Sequence, residues 1–507
     1  MNIKKLFSNR KKFEVTRNSS KEEKIKDNLE HNISTLSSIF ESSINSDFVI
    51  RQCDVLSLEK KASTFFLNGL VDPKEIEEFI INALTNSEEN VNKNMDIEQL
   101  VNDIIPIKNI KAVSMISECV QGLNNGQTLL LVEGIENGFL LDTTKIEHRG
   151  VETPQNELVI KGSNEGFVES VAINKALIRK QLRYEKLVSD NVELHNRAAD
   201  SVSLMYVNDL VDKDVVEDVK KRLRDIDVDT IQNIALLEQY LEERPYSLVP
   251  TILYTERPDR VVSYMLEGHV VILAENSPAC LVVPVTFWSF FHTAEDNYQR
   301  WAYGNFIRII RLLCFLIAIV TPSFYVAVTT FHIEMLPTDL ALAIAAKRET
   351  IPFPVIVEVL IMEVAFEILR EAGIRVPSPI GPTIGIVGTL ILGQAAVEAN
   401  IISPIMVIVV AITGLSSFAI PDISFSFMIR VIRFGFLLSA AIFGLFGIVI
   451  CLTLSVAYLT TLHSFGVPFL SPKTPYNPSS KDLIFRRTIR KQRIRPTNIN
   501  PQDSTRK

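Results

Sequence analysis

The stretch "EVLIMEVAFEILRE" sets Glu358, Glu363, Glu367, Arg370 and Glu371 inside an otherwise apolar run. At helical spacing, the last four share one face. An ionised carboxylate at the centre of a bilayer costs ~2.5–3.5 kcal/mol, so in a membrane such groups must face protein or water. Glu358, Glu363, Glu367 and Arg370 are therefore candidates for an intramembrane polar network, and Arg370 stands at i+3 from Glu367, close enough to pair with it. An ion pathway, a buried structural ion pair and an interfacial helix end would each use such residues. A second stripe lies further along the chain. Thr383, Val387, Ile391, Gln394 and Glu398 recur at helical spacing, apolar in the middle and polar at the ends. Copies of this face around an axis would form a hydrophobic constriction with a carboxylate ring at its mouth, a candidate pore or gate face. Glu398 would equally suit an interfacial turn before Asn400. Gly381, Gly385 and Gly388 form a third stripe in "GPTIGIVG". The spacing is not that of a nucleotide loop, and no Lys-Ser/Thr follows. Small residues at this spacing let helices approach closely.

Nothing in the chain resembles the apparatus of covalent catalysis. The seven histidines are scattered, and no HExxH, GxSxG or P-loop occurs. Five cysteines show no metal spacing, and a disulfide framework is not expected. The reading is a non-enzyme without cofactor or metal. The formal net charge is -7, but residues 471–507 carry ten Lys/Arg against two Asp/Glu. Such a basic tail suits a lipid or phosphate surface, or else is simply solvated.

The elements that must position these residues fall into two halves. Residues 1–45 are polar and short of aromatics, which predicts a disordered N-terminus. No cleavable signal peptide is expected from its basic start. Runs such as "TLLLVEG" and "HVVILAE" predict strands, and "DKDVVEDVKKRLRDI" predicts a helix. A repeat is visible: "NGLVDPKEIEEF" from Asn68 resembles "NDLVDKDVVEDV" from Asn208, and "GQTLLLVEG" from Gly126 resembles "GHVVILAEN" from Gly268. The expected organisation is two similar α/β subdomains at 46–150 and 151–300, an α-helical multi-span transmembrane domain at 301–465, and a basic C-terminal tail at 466–507. The apolar runs are 305–333, 351–369, 378–397, 400–420 and 434–462, each long enough to cross a bilayer. Five crossings from a cytoplasmic front would leave the basic tail outside, against the positive-inside rule. The glycine- and proline-bracketed run 378–397 is the suspected re-entrant or broken segment, which leaves four crossings.

Several longer motifs then become informative together: "RGVETPQNE" (149–157), "GFVESVAINKALIRKQL" (166–182), "ERPDRVVSYMLEGHVVIL" (256–273), "MLPTDL" (335–340), "PFPVIVEVL" (352–360), "EAGIRVPSPIGPTIGIVG" (371–388) and "LHSFGVPFLSP" (462–472). In this order the chain resembles the GerA family of spore germination proteins, specifically the A subunit of nutrient receptors. The resemblance implies an integral, multi-pass protein of the spore inner membrane with its N-terminal domain on the core side. It implies a transporter-like B-type partner, a lipoprotein C-type partner, and homo-oligomerisation around a nutrient-gated ion-conducting pathway. Nucleic acid is not an expected partner. The alternative is a membrane-anchored scaffold whose soluble domain assembles the receptor without conducting ions.

Overall fold

The computed structural model describes residues 23–55, 60–86, 105–107, 109–145, 153–154, 156–194, 201–375, 393–477 and 482–506. The first unit begins with helix α1 (Leu29–Phe40), capped by Asn28, whose side chain accepts from the His31 N–H. Strands β1 (Phe48–Val55) and β2 (Lys60–Leu67) come next. A helical stretch, α2 (73–86), contains a π turn. Asp72 caps it, with Pro73 at its first position, where proline's missing N–H is no loss. Strand β3 (Ile110–Val113), helix α3 (Ile116–Asn124), β4 (Thr128–Val132) and β5 (Gly138–Leu141) complete this unit. The sheet order is β1-β2-β4-β5-β3, antiparallel throughout. Leu36, Phe40 and Leu123 pack on one face, and Ile76 and Ile80 on the other.

The second unit contains α4 (Val171–Gln181), β6 (Leu187–Glu193), β7 (Ser201–Val207), α5 (Lys213–Arg224), α6 (Ile234–Leu241), β8 (Leu253–Thr255), α7 (Pro258–Met265), β9 (Val270–Ala274) and β10 (Cys280–Val283). Its sheet order, β6-β7-β9-β10-β8, is again antiparallel. Asp47 holds the two units together. It accepts from Arg179 Nε at 3.0 Å and pairs with Lys175 Nζ at 3.2 Å. Helices α5 and α6 cover one face of the second sheet. On the opposite face, α4 and α7 share a core with Phe287, Phe290, Phe291 and the helical half of the chain.

That helical half consists of α8 (Trp301–Phe331), α9 (Thr338–Arg348), α10 (Val355–Arg375), α11 (Pro404–Phe418) and α12 (Ile423–Thr460). Buried Asp296 anchors the start of α8 between Arg308 (Nε, 3.0 Å) and Arg311 (Nη1, 2.8 Å). Burial favours the neutral acid, but Arg311 and Arg308 outweigh it and hold this carboxyl below its ordinary range. Among the described residues, two helices are long and apolar enough to cross a membrane, α8 and α12.

Helix α12 is not one rod. Its 38 residues would extend about 57 Å if straight. Gly444 breaks it at φ 59°, ψ -140°. Ser439 Oγ donates to the Gly447 carbonyl at 2.8 Å, although residues eight apart on a straight helix lie about 12 Å apart. Both ends of α12 return to the second unit. Phe425 stacks on Phe290 at 5.3 Å. At the other end, Arg244 donates to the Thr461 carbonyl. The Phe469 N–H donates to Leu462, and the Phe287 N–H to Phe469, which closes the loop between the two ends. Helix α12 is thus two antiparallel arms, with Gly444 at the tip against Phe331 and His332 at the end of α8.

The end of the bundle next to the second unit is termed proximal, and the Gly444 end distal. Helices α10 and α11 run parallel, because Ser403 N–H donates to Glu358 near their starts and Arg370 donates to Ser417 near their ends. Arg375 therefore lies proximally. Gly393 lies beside Val407, one turn from the distal start of α11.

The C-terminal tail is folded onto the protein, a finding that its charge alone does not suggest. Arg486 is buried and donates to Asn297 and to the Gln299 carbonyl. Arg495 donates to the Leu266 carbonyl at 2.7 Å, and Gln502 to the Val211 carbonyl at 2.8 Å. Arg487, Arg490, Lys491 and Arg493 remain exposed. The tail also covers His292, which donates to the Leu483 carbonyl at 2.6 Å. Burial, reinforced by Arg308, pushes His292 down, and burial pushes His269 down to about 4.

These arrangements lead to two expected outcomes. An unfolded imidazole takes its proton near pH ~6.5, whereas folded His269 resists until about 4. The unfolded state then binds more protons, so the melting temperature should fall as pH drops through that window. His269→Phe should flatten part of the fall. A wild-type profile flat from 6.5 to 4 would contradict the assignment. Gly444→Ala should lower stability by about 1–3 kcal/mol, because an L side chain strains at that backbone position; an unchanged denaturation midpoint would argue against the reversal.

Candidate functional site

Five charged side chains meet inside the bundle. Helix α10 supplies Glu363, Glu367 and Arg370, and the first arm of α12 supplies Arg430 and Arg433. Arg433 is 2% exposed and Glu363 1%. Arg433 Nη2 lies 2.8 Å from Glu363 Oε2 and donates to Glu367 Oε1 at 3.1 Å. The Glu363 contact is close but lacks hydrogen-bond alignment, so both Glu363 oxygens and Arg433 Nε are without a hydrogen-bond partner. Arg430 Nη1 takes the other Glu367 oxygen at 3.1 Å. A single carboxylate thus bridges two guanidinium groups from one arm of α12. Removing one partner would leave an uncompensated charge at a dry site.

Arg370 does not take the i+3 pairing its spacing permits. Its Nη2 donates to Ser417 Oγ at 2.8 Å, and its guanidinium lies 4.1 Å over the Phe418 ring. The reason is competition: the bridged geometry of Arg430 and Arg433 occupies Glu367. Glu358 is also separate from the other carboxylates. It is fully buried near the distal end of α10, 3.3 Å from Arg348, and accepts from the Ser403 N–H at 3.2 Å.

Of the second stripe, Gln394 and Glu398 are described. They are exposed on a short helical segment, 393–398, and Gln394 Nε2 donates to Glu398 Oε1 at 3.0 Å. Thr383, Val387 and Ile391, with the packing glycines Gly381, Gly385 and Gly388, lie outside the described residues. Among the described residues no cluster of His, Cys, Asp and Glu could hold a metal ion.

Sequence reasoning missed Arg430 and Arg433. Both stand in "MIRVIRFGF", three apart and therefore on one helical face. Starting the last apolar run at 434 left them outside it. The visible signal was two arginines following a short "PDIS" cap, in a run that is apolar from Ile423 onward.

Replacing Arg433 by Leu should destabilise the chain by about 3–5 kcal/mol, since Glu363 is left buried without a counter-charge. The double change Arg433→Leu with Glu363→Leu should recover most of that loss. Melting temperatures in detergent would read both; a single variant as stable as wild type would show that the pair is not dry.

A family model described as Bacillus/Clostridium GerA spore germination protein matches residues 34–498. The chain is 36% identical over 464 residues to "Spore germination protein KA" of Bacillus subtilis (strain 168), covering 91% of this chain and 85% of that protein. It is 35% identical over 464 residues to "Uncharacterized membrane protein YfkQ" of the same organism, covering 91% of this chain and 89% of that protein. Among solved structures, the N-terminal domain of the A subunit of the Bacillus megaterium spore germinant receptor GerK3 aligns with a TM-score of 0.41 at 24% identity, over 52% of this chain and 98% of that one.

Proposed function

The chain belongs to the GerA family of spore germination proteins, and on that premise we propose that it is the A-type subunit of a nutrient germinant receptor, integral to the spore inner membrane. The observation that carries the membrane part is the ion-paired cluster at Arg433, enclosed in helices whose outer faces expose Leu415, Phe418, Ile442 and Phe446. Apolar outside and charged inside suits a bilayer rather than water.

In this reading the chain makes an even number of crossings. Helix α8 leads outward and α10 returns. Arg375 and Gly393 stand at opposite ends of the bundle, α11 returns, and the two arms of α12 lead out and back. This reading counts six passes, against the four or five counted from the apolar runs. They keep the basic tail beside the soluble units, as the positive-inside rule asks. Both α/β units, two copies of one five-stranded design, then face the spore core.

The cluster holds three cations against two carboxylates, so its interior repels a passing cation. In this reading it sets the spacing of α10 and α12, and the gated path runs along the Thr383–Glu398 face where copies of the chain meet. B-type and C-type subunits would complete the receptor, and nutrient binding would shift closed and open populations. Non-enzymatic action accords with the absence of any motif for covalent chemistry. The scaffold alternative differs in one result: it needs no ion flow through this chain.

In a background lacking the five native cysteines, Gln394→Cys and Tyr246→Cys should react with a charged thiol reagent from opposite sides of sealed vesicles. Reaction from the same side would sink the six-pass path. Val387→Trp should assemble normally yet abolish nutrient-triggered ion release from spores; normal release would favour the scaffold.

A further inference from the structure

The charge count of the bundle leaves one guanidinium over. Glu363 and Glu367 are engaged by Arg433 and Arg430. Among the described residues Arg370 forms no ion pair: it donates to the neutral Ser417 hydroxyl and lies over the rings of Phe418 and Phe366. Glu367 and Glu363 act on it only from a distance, while their own pairs are with Arg430 and Arg433. Nearby acids do not supply the missing charge. Glu371 pairs with Arg375 at 2.7 Å. Asp422 caps α12 by accepting from the Phe425 N–H. The segment 376–392 contains no Asp or Glu.

Depth and surroundings point to the missing partner. Arg370 lies five residues from the proximal end of α10 and Arg430 seven from the proximal start of α12, so both stand about 8–11 Å inside the bundle end. Arg433 and Glu363 lie deeper. Arg430 is cushioned on Phe427 at 4.6 Å, as Arg370 is on Phe418. Below Phe418, the residues Leu415, Ile412 and Ile408 of α11 form an exposed apolar column at helical spacing. A cation at headgroup depth above an apolar column fits an acyl chain carrying a phosphate.

We propose that Arg370, with Arg430 beside it, binds the phosphate of an anionic phospholipid whose acyl chain lies along the outer face of α11. The inference rests on the reading that the bundle crosses a bilayer. An anionic lipid supplies the one negative charge that the cluster lacks, and the guanidinium fork matches phosphate oxygens. The lipid would also join α10 to α11, next to the Glu367 bridge that holds α10 to α12.

The test uses the purified full chain in detergent, with retained lipid read by native mass spectrometry. Palmitoyl-oleoyl phosphatidylglycerol should be retained about five-fold better than the phosphatidylcholine of the same chains, the factor expected from ~1 kcal/mol per cation. Arg370→Gln should abolish that preference. Arg430→Lys, which keeps the charge and is the variant expected to fold best, should retain it. Arg375→Gln should leave it unchanged. Equal retention of the two lipids, or an undiminished preference in Arg370→Gln, overturns the proposal. Displacement of the lipid by millimolar inorganic phosphate would overturn it in favour of a soluble anion. Loss of the preference in Arg375→Gln would place the site elsewhere. The vesicle thiol test separates the two failures: a six-pass chain with no lipid preference loses only this site.

Discussion

Asp296 fixes where the apolar bundle begins. It is a buried carboxylate held by two arginines of one helix, Arg308 and Arg311. A charge so enclosed tolerates no displacement, because moving either arginine leaves an unpaired ion away from water. The first ten residues of α8 are thereby tied to the second α/β unit, and only the later turns of the helix are free of it. About twenty residues then remain to Phe331, roughly the 30 Å that a hydrocarbon layer requires. Beneath this ion pair, Phe287, Phe290, Phe291, Phe315 and Phe425 pack ring against ring. The polar anchor sets position, and the aromatic cluster supplies the area that holds it.

The same logic recurs deeper in the bundle with a different outcome. Arg433 and Glu363 are as buried as Asp296, but their contact is poorly aligned and several of their polar atoms lack partners. A buried ion pair of this kind is weak evidence for stability and better evidence for register. It fixes how α10 sits against the first arm of α12. A rearrangement of the bundle would have to break or slide this contact. That makes the cluster a natural place for two packings of the helices to differ.

Much of the fold was readable in advance, for local reasons. Short apolar runs marked β4 and β9, and the charged periodic run from Asp212 marked α5. The Asn68 and Asn208 motifs each follow the second strand of sheets that share one strand order. The charged face of α10 was equally visible, since helical spacing alone puts Glu363 and Glu367 together. Their partners were not. Arg430 and Arg433 are more than sixty residues away, and no periodicity connects two helices across that distance. The pairing of Arg370 with Ser417 rather than Glu367 was hidden for the same reason, because a competitor on another helix decided it.

The amino-acid order alone established the division into two polar α/β units and an apolar helical half, and the family resemblance carried by long motifs. Those properties depend on composition and on neighbours within a few residues. The tertiary structure alone decided the reversal at Gly444, the partners of Arg370 and the folded tail. "AIFGLFGIV" reads as an uninterrupted apolar helix, since a glycine costs a helix only about 1 kcal/mol. Whether the chain continues or turns there depends on what meets it. The end of α8 and the returning contacts at Leu462 and Phe469 are distant in sequence, and they select the turn.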